Sequence, residues 1–402
     1  MLKDKLYDIL DSKEQEIIDI RRYLHRHPEP SFKESQTAEY IKNFYKGKDI
    51  EWIRYPVGLN GIAVKIKGSA KNSGDKKDKK RKTLAIRGDF DALAIQEESD
   101  VSYKSINPGA MHACGHDAHT AILLETADAL IKVREELPGD VVIIHQYGEE
   151  LSPGGAQSMI DGGVLDDVDA IIGGHVWASY ETGTIAVRSG MTMAGRAYFE
   201  AVITGRGGHG SQPYRCVDPI LAASNFVVAV QSIISRNIDP ADPAVVTIGR
   251  FEGLGSFNVI PNSVTLQGDV RIFSDEVNDL IEKRFREILA GITAAYGCTY
   301  DLIYKYDFPP VINDAKLAES ARKFIESNEV PGLKLCQGEL IMGSEDFSCF
   351  QQKIPGLYVF FGAKPDGEFY PHHHPKFNIN ESCLLNCAKF YAGFTVDFME
   401  QN

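Results

Sequence analysis

The chain has 402 residues, a length that suggests two domains and a sizeable core needing no covalent staples. Its 43 Lys and Arg stand against 56 Asp and Glu, a net charge of −13; this excludes the basic face of a nucleic-acid-binding protein and favours solubility. No apolar run approaches the ~20 residues of a membrane span, and the one basic run, Lys76–Lys82, reads as part of a solvated Gly/Ser/Lys/Asp-rich loop, 69–82.

The first twenty-odd residues have helical spacing, through Leu2, Leu6 and Ile9, then Ile17, Ile20 and Leu24. The break at His27-Pro28-Glu29-Pro30 precedes a second helix over Ser35–Tyr45. Strand-like runs at Gly61–Lys67 and Thr83–Arg87, with the basic loop between them, suggest a hairpin with a long tip. His119–Glu136 reads as a helix stopped by Pro138-Gly139, Asp140–His145 as a buried strand, Gly155–Gly162 as a helix and Ala170–Gly174 as a strand. This alternation predicts an α/β fold with a mostly parallel sheet. From about Gly190 the pattern changes to strand Ala197–Thr204, helix Asp218–Arg236, strands Ala244–Glu252 and Asn262–Phe273, helix Asp275–Tyr296 and strand Thr299–Tyr304. That order is a ferredoxin-like β-α-β-β-α-β unit. It divides the chain into a discontinuous α/β domain, 1–189 and 305–402, and an inserted domain, 190–304. The α/β alternation resumes with helix Ala315–Glu326, strand Leu357–Phe361 and a closing helix near Glu381–Met399. Seven scattered cysteines and an N-terminus without an apolar signal core point to a reducing, cytoplasmic setting.

The densest chemical signal is Met111–His119, M-H-A-C-G-H-D-A-H. A thiol and an imidazole separated by one glycine suit a tight turn that aims both at one borderline-soft divalent ion. Glu149-Glu150 follows the Asp140–His145 strand, where one carboxylate can ligate and the other shuttle protons. His175 ends the Ala170–Gly174 strand, and His372-His373-His374 follows Leu357–Phe361. Their shared placement after apolar strands supports a single site. Within the insertion, Gly207-Gly208-His209-Gly210-Ser211 is either a point of close approach to a ligand or an ordinary turn with a cap at Ser211.

These residues resemble, over nearly the whole chain, the aminoacylase/carboxypeptidase family of metallopeptidases, and in particular its amidohydrolase branch. That branch includes auxin-conjugate hydrolases, hippurate hydrolases and N-acetyl-diaminopimelate deacetylases. The resemblance runs from R-R-Y-L-H-R-H-P-E-P at Arg21–Pro30, through R-G-D-F-D-A-L at Arg87–Leu93 and C-G-H-D at Cys114–Asp117, to G-G-H-V-W at Gly173–Trp177. It continues through G-G-H-G-S-Q-P at Gly207–Pro213, M-G-S-E-D-F at Met342–Phe347 and H-H-P-K-F at His373–Phe377. It implies a zinc-peptidase-like catalytic domain carrying an inserted lid or dimerisation domain, with Cys114, His116, Glu150, His175 and His373 holding two divalent ions (zinc or manganese, else cobalt or nickel) and Glu149 as general base. By the same resemblance His373 is preferred to His374; Asp89, Asp91, His112 and His119 orient ligands; and His209, Asn258 and Arg271 contact the substrate's carbonyl and carboxylate. Departures such as His145-Gln146-Tyr147-Gly148 before the glutamates bear on substrate preference, not on reaction class.

The implied reaction is hydrolysis of an amide bond in an N-acyl amino acid or small peptide by a metal-activated water. Glu149 takes the proton, His209 donates to the oxyanion and Arg271 holds the product carboxylate. A dipeptidase or carboxypeptidase with the same site is the nearest alternative. Cys114 as a nucleophile with His112 or His116 as base, and a catalytically silent amino-acid-binding protein, are readings of other classes. The expected assembly is a homodimer built through the inserted domain, with Ala197–Thr204 as an edge strand paired across the two-fold axis and His209 lent to the partner's site.

Overall fold

The structure, a computed structural model, describes residues 1–53, 60–70 and 81–400. Most of the predicted basic loop lies outside the described residues. Of its basic run, Arg81 donates to the Leu137 carbonyl (3.3 Å) and Lys82 to that of Phe398 (3.0 Å).

Two compact units make up the chain. The first comprises Met1–Thr192, Ile312–Glu339 and Cys349–Asn402; the second comprises Met193–Val311 and Leu340–Ser348. The second unit thus extends past the expected limit at 304, because its last strand continues from Thr299 to Phe308. It also takes up a later segment, through a bridge between Met193 and Ile341 and the Ala194 N–H donating to the Ile341 carbonyl.

The first unit is built on an eight-stranded sheet in the order Glu51–Ile53, Ile62–Ile66, Asp140–Gln146, Thr83–Asp89, Ala170–Trp177, Gly356–Gly362, Thr184–Ala186, Lys334–Cys336. The four central strands run parallel. Every residue of Thr83–Asp89 and Gly356–Gly362 is buried, as expected where a sheet is covered on both faces. The expected hairpin is absent: Asp140–Gln146 lies between Ile62–Ile66 and Thr83–Asp89, antiparallel to the first and parallel to the second. A strand as apolar as Asp140–Gln146 finds more burial in the middle of the sheet than a local hairpin would leave it.

The expected N-terminal helix is two, Leu2–Asp11 and Glu14–Arg26, because the Ser12 hydroxyl takes the Ile9 carbonyl and ends the first. Both pack on the His116–Lys132 helix, together with Cys383–Glu400. Fifteen of the 17 residues of His116–Lys132 are buried, and the helix packs in turn on Thr83–Asp89. Its start is fixed by Gly115 at φ +95°; a Cβ there would meet Val176 Cγ2 at 2.5 Å.

The second unit carries a four-stranded antiparallel sheet in the order Val245–Glu252, Ser263–Ile272, Gly195–Thr204, Thr299–Phe308. Gly195–Thr204 alternates buried and half-buried residues along its whole length and is a central strand, not the edge expected from sequence. The Pro219–Asn237 and Asp275–Tyr296 helices close one core with it, through Phe199, Phe226, Val230, Ile281 and Phe285. Ser274 caps the second helix by accepting the Val277 N–H, and Gly297 ends it in the left-handed conformation. Pro219–Asn237 is long and apolar enough to cross a membrane by length and composition, yet Ala222, Ala223, Phe226, Val230 and Ile233 are buried within the unit.

Candidate metal centre and active site

In the first unit the candidate ligands gather where the central parallel strands end. Asp89 closes one strand, Glu149-Glu150 follow the next, and His175 lies near the end of the third. The turn at Gly115 places Cys114 and His116 on either side of a helix start. One donor atom each from Cys114, Glu150 and His373 lies within 4.8 Å of the others, and the same is true of His116, Glu149 and Glu150, and of Cys114, His175 and His372.

Hydrogen bonds to the second ring nitrogen decide which histidines can ligate. His116 Nδ1 faces the Asp91 carbonyl (3.0 Å) and carboxylate (3.2 Å), so it carries the proton and leaves the Nε2 lone pair free. His175 Nδ1 donates to the Val176 carbonyl (2.7 Å), and its free Nε2 faces Cys114 Sγ at 3.3 Å. His119 is arranged the other way. Its Nδ1 donates to Asp89 (2.6 Å) and its Nε2 accepts the Val176 N–H (2.9 Å), so no lone pair remains for an ion.

The histidine triplet splits three ways. His373 Nε2 lies 3.4 Å from Glu150 Oε1, in a backbone held at φ +67° while its N–H donates to the Ala113 carbonyl. His374 Nδ1 accepts the Lys376 N–H, and its ring stacks on Tyr370. His372, which the sequence did not single out, faces Cys114 Sγ at 3.9 Å.

Buried His116 Nε2 and Glu150 Oε1 lie 3.8 Å apart, and neither has a hydrogen-bond partner. A cation satisfies both at once, and a set of thiol, imidazole and carboxylate suits a zinc-like divalent ion. Burial opposes protonation of His116, but Asp89, Asp91 and Glu150 raise its pKa to about 10. Burial, then the charges of Glu150, Glu149 and Asp89, push the Cys114 thiol well above its ordinary value. A metal-free nucleophile needs the opposite shift. The bases that reading requires are also missing: His116 is turned to Glu150, and His112, buried, has no hydrogen bond at either ring nitrogen. His112 therefore orients no ligand through a hydrogen bond, contrary to the sequence expectation; burial lowers its pKa to about 4.

Asp91 orients two candidate ligands, His116 through Oδ1 and the Glu150 N–H through Oδ2 (3.0 Å), while the Ser31 hydroxyl also donates to Oδ2 (2.7 Å). Arg87 braces Asp89 at 2.6 Å. Part of the Arg21–Pro30 motif also acquires a place: Arg21 Nε (2.9 Å) and His25 Nδ1 (2.8 Å) both reach Asp117, in the first turn of the His116–Lys132 helix. Burial works against the Asp117 charge, but Arg21 and His25 hold its carboxyl well below the usual range.

In the second unit, Gly208-His209 pairs with Val259-Ile260, and the Gly210 N–H donates to the Asn258 carbonyl (2.8 Å). A Cβ at Gly210 would meet that oxygen at 2.9 Å, so glycine is what brings His209 and Asn258 side by side. His209 Nδ1 accepts the Ser211 N–H (3.1 Å), which leaves a proton on Nε2, as an oxyanion donor needs. Arg271 is elsewhere. It lies eight positions along the strand from Ser263, about 26 Å at the usual rise, and its Nε is held by Asp269 (2.7 Å). At that spacing one amino-acid-sized substrate does not span His209 and Arg271 of the same unit; the expectation that His209 is lent to the partner's site would bring the two to one substrate from different subunits.

Residues 85–397 match the family described as Peptidase family M20/M25/M40. An IAA-amino acid hydrolase of Arabidopsis thaliana, ILR1-like 4, is 38% identical over 95% of this chain and 86% of its own length. An N-acetylcysteine deacetylase of Bacillus subtilis is 37% identical over 96% of this chain and 97% of its own. The solved structure of the Bacillus subtilis YXEP protein, described as a dinuclear metal-binding peptidase, superposes with a TM-score of 0.83 at 33% identity, covering 98% of this chain and all of that one.

Proposed function

Since the chain belongs to peptidase family M20/M25/M40 and is thereby a metal-dependent hydrolase of amide bonds, we propose that it removes the acyl group from an N-acyl amino acid, with Cys114, His116, Glu150, His175 and His373 holding two divalent ions and Glu149 moving the proton. The observation that carries this reading is the pair of freed lone pairs. His116 and His175 each commit Nδ1–H to an oxygen and turn Nε2 toward Glu150 and Cys114 respectively. The names of the amino-acid-conjugate hydrolase and the deacetylase among the relatives favour the acyl-amide substrate. A carboxypeptidase of Saccharolobus solfataricus at 35% identity keeps peptides as the second substrate class to test.

Bound divalent ions supply a polarised water at neutral pH. Glu149, next to the ligand Glu150, accepts its proton and returns it to the leaving amine. His209 Nε2–H donates to the carbonyl oxygen as charge develops there. Asn258, beside it, contacts the substrate through its exposed side chain. The partner is a second copy of the chain, paired through the free edge Val245–Glu252, where Val245 and Phe251 are exposed. Seven cysteines scattered through the sequence accord with a reducing, cytoplasmic setting.

The test is a hydrolysis screen over N-acetyl, N-benzoyl and dipeptide substrates, with zinc, manganese, cobalt or nickel returned to the metal-free protein. Turnover of acyl amino acids that vanishes on chelation and returns with metal supports the reading; a preference for dipeptides replaces the substrate class. In the same assay Glu149→Gln keeps its metal and loses about 10²–10⁴-fold in turnover. Retained activity in that variant removes Glu149 from its role.

A further inference from the structure

His372 meets the same thiol as His175, and by distance alone it belongs to a three-ligand cluster with Cys114 and His175. Its hydrogen bonds say otherwise. The Ala178 backbone N–H donates to His372 Nε2 at 3.2 Å. A backbone N–H can only donate, so that nitrogen's lone pair is in use and the ring proton sits on Nδ1. Nδ1 is the atom that faces Cys114 Sγ, at 3.9 Å. The ring is held in this orientation: Trp177 stacks on it at 4.6 Å and 27°, Phe377 lies at 4.7 Å, and the His175 ring meets it edge-on at 5.1 Å. Offering the Nδ1 lone pair to an ion would require the proton on Nε2, which would set an N–H against the Ala178 N–H.

We propose that His372 is a positioning residue rather than a ligand, and that it donates an Nδ1–H···S hydrogen bond to the Cys114 thiolate and tunes that sulfur toward the bound ions. The bond draws electron density from the sulfur and so sets how strongly it can donate to an ion. His175 and His372 thus treat one sulfur in opposite ways. His175 turns a lone pair to the site that Cys114 shares, while His372 turns a proton to Cys114 itself. The proposal rests on the metal reading given above.

The experiment compares wild type, His372→Asn and His372→Leu. Each is stripped of metal and titrated with cobalt(II), reading cobalt per subunit, affinity and the sulfur-to-cobalt charge-transfer band. The Asn side-chain amide places an N–H where Nδ1–H stood; Leu has none. All three should bind the same number of ions. Leu should lose about 10-fold in affinity, the lower end for a group that supports a ligand, and its band should move to longer wavelength as the sulfur becomes a better electron donor. Asn should stay close to wild type in both. Loss of one cobalt equivalent from either variant would make His372 a ligand and overturn the proposal; so would an unmoved band in Leu. A wild type that takes up no cobalt would remove the metal reading itself, an outcome distinct from the other two. If Leu fails to fold, ¹⁵N-histidine spectra of the zinc-loaded wild type decide, with the His372 signals identified by their absence in Asn. An Nδ1–H, metal-free ring supports the proposal, and a metal-bound nitrogen or an Nε2–H ring refutes it.

Discussion

Asp91→Asn tests the idea that one buried carboxylate sets two ligands at once. Asp91 accepts from His116 Nδ1 through Oδ1, and from the Glu150 N–H and the Ser31 hydroxyl through Oδ2. Asparagine fills the same space but has one acceptor oxygen and one donor amino group, so one side must fail. With its oxygen toward His116, the amino group confronts the Glu150 N–H and leaves a buried donor unpaired. With its oxygen toward Glu150, the amino group confronts the His116 Nδ1–H, which keeps the Asp91 backbone carbonyl as acceptor but loses the carboxylate and gains a repulsive donor beside it. Either arrangement costs about 1–3 kcal/mol, which corresponds to about 5–150-fold in metal affinity. The assay is competition for zinc against a chromophoric chelator, with circular dichroism to verify the fold. Asp91→Asn should bind with correspondingly weaker affinity and unchanged stoichiometry. A folded variant that holds zinc as tightly as wild type would show that the Asp91 carboxylate does not orient His116 or Glu150.

Cys114→Ala and His373→Ala should each lower bound metal on analysis of the purified protein, while His374→Ala should not, because its ring is engaged with Tyr370 and Lys376; equal losses from the two histidine variants would mean that the wrong member of the triplet was chosen. Glu125 makes a pH-dependent stability prediction: burial, then Glu16, push its pKa up to about 7 against the pull of Lys13. The folded chain therefore holds this proton better than the open chain does, and the resulting stability, at most about 3 kcal/mol, is present below pH ~4.5 and lost as pH rises through about 7. Glu125→Gln should accordingly unfold at a higher temperature than wild type at pH 8.5 and at a similar one near pH 4.5, and a difference that does not vary with pH counts against it. Mixing inactive Glu149→Gln with inactive His209→Ala under subunit exchange should restore activity if His209 serves the partner's site, since one site of each mixed dimer then carries neither defect; no recovery despite exchange places His209 in its own subunit's site.

What the sequence made legible was mostly local. The limits of Asp275–Tyr296 and Ala315–Glu326 could be read because Ser274, Gly297 and Asp314 cap them with their own side chains or backbone. Strand partners were not local. Ile62–Ile66 and Thr83–Asp89 are neighbours in the chain, but the strand between them in the sheet comes from Asp140–Gln146. Gly195–Thr204 alternates as an edge strand would, and only its two flanking partners reveal it as central. At the site, the residue types and the turn at Gly115 made Cys114 and His116 visible. His119 and His372 show what letters cannot carry: a histidine's part depends on whether an N–H or an oxygen meets its second nitrogen.

The candidate ligands are also far apart in time. They run from Cys114 to His373, with the whole Met193–Val311 segment synthesised in between. At ribosomal rates of about 5–20 residues per second, roughly 13–50 s separate the emergence of the first ligand from that of the last. During that interval Cys114 and His116 exist without Glu150, then without His373. A stray ion that meets the nascent chain finds only part of its coordination, and the Cys114 thiol stands open to oxidants. If these residues hold the ions, the full ligand set exists only once His373 has emerged, and Cys114 must stay reduced until then.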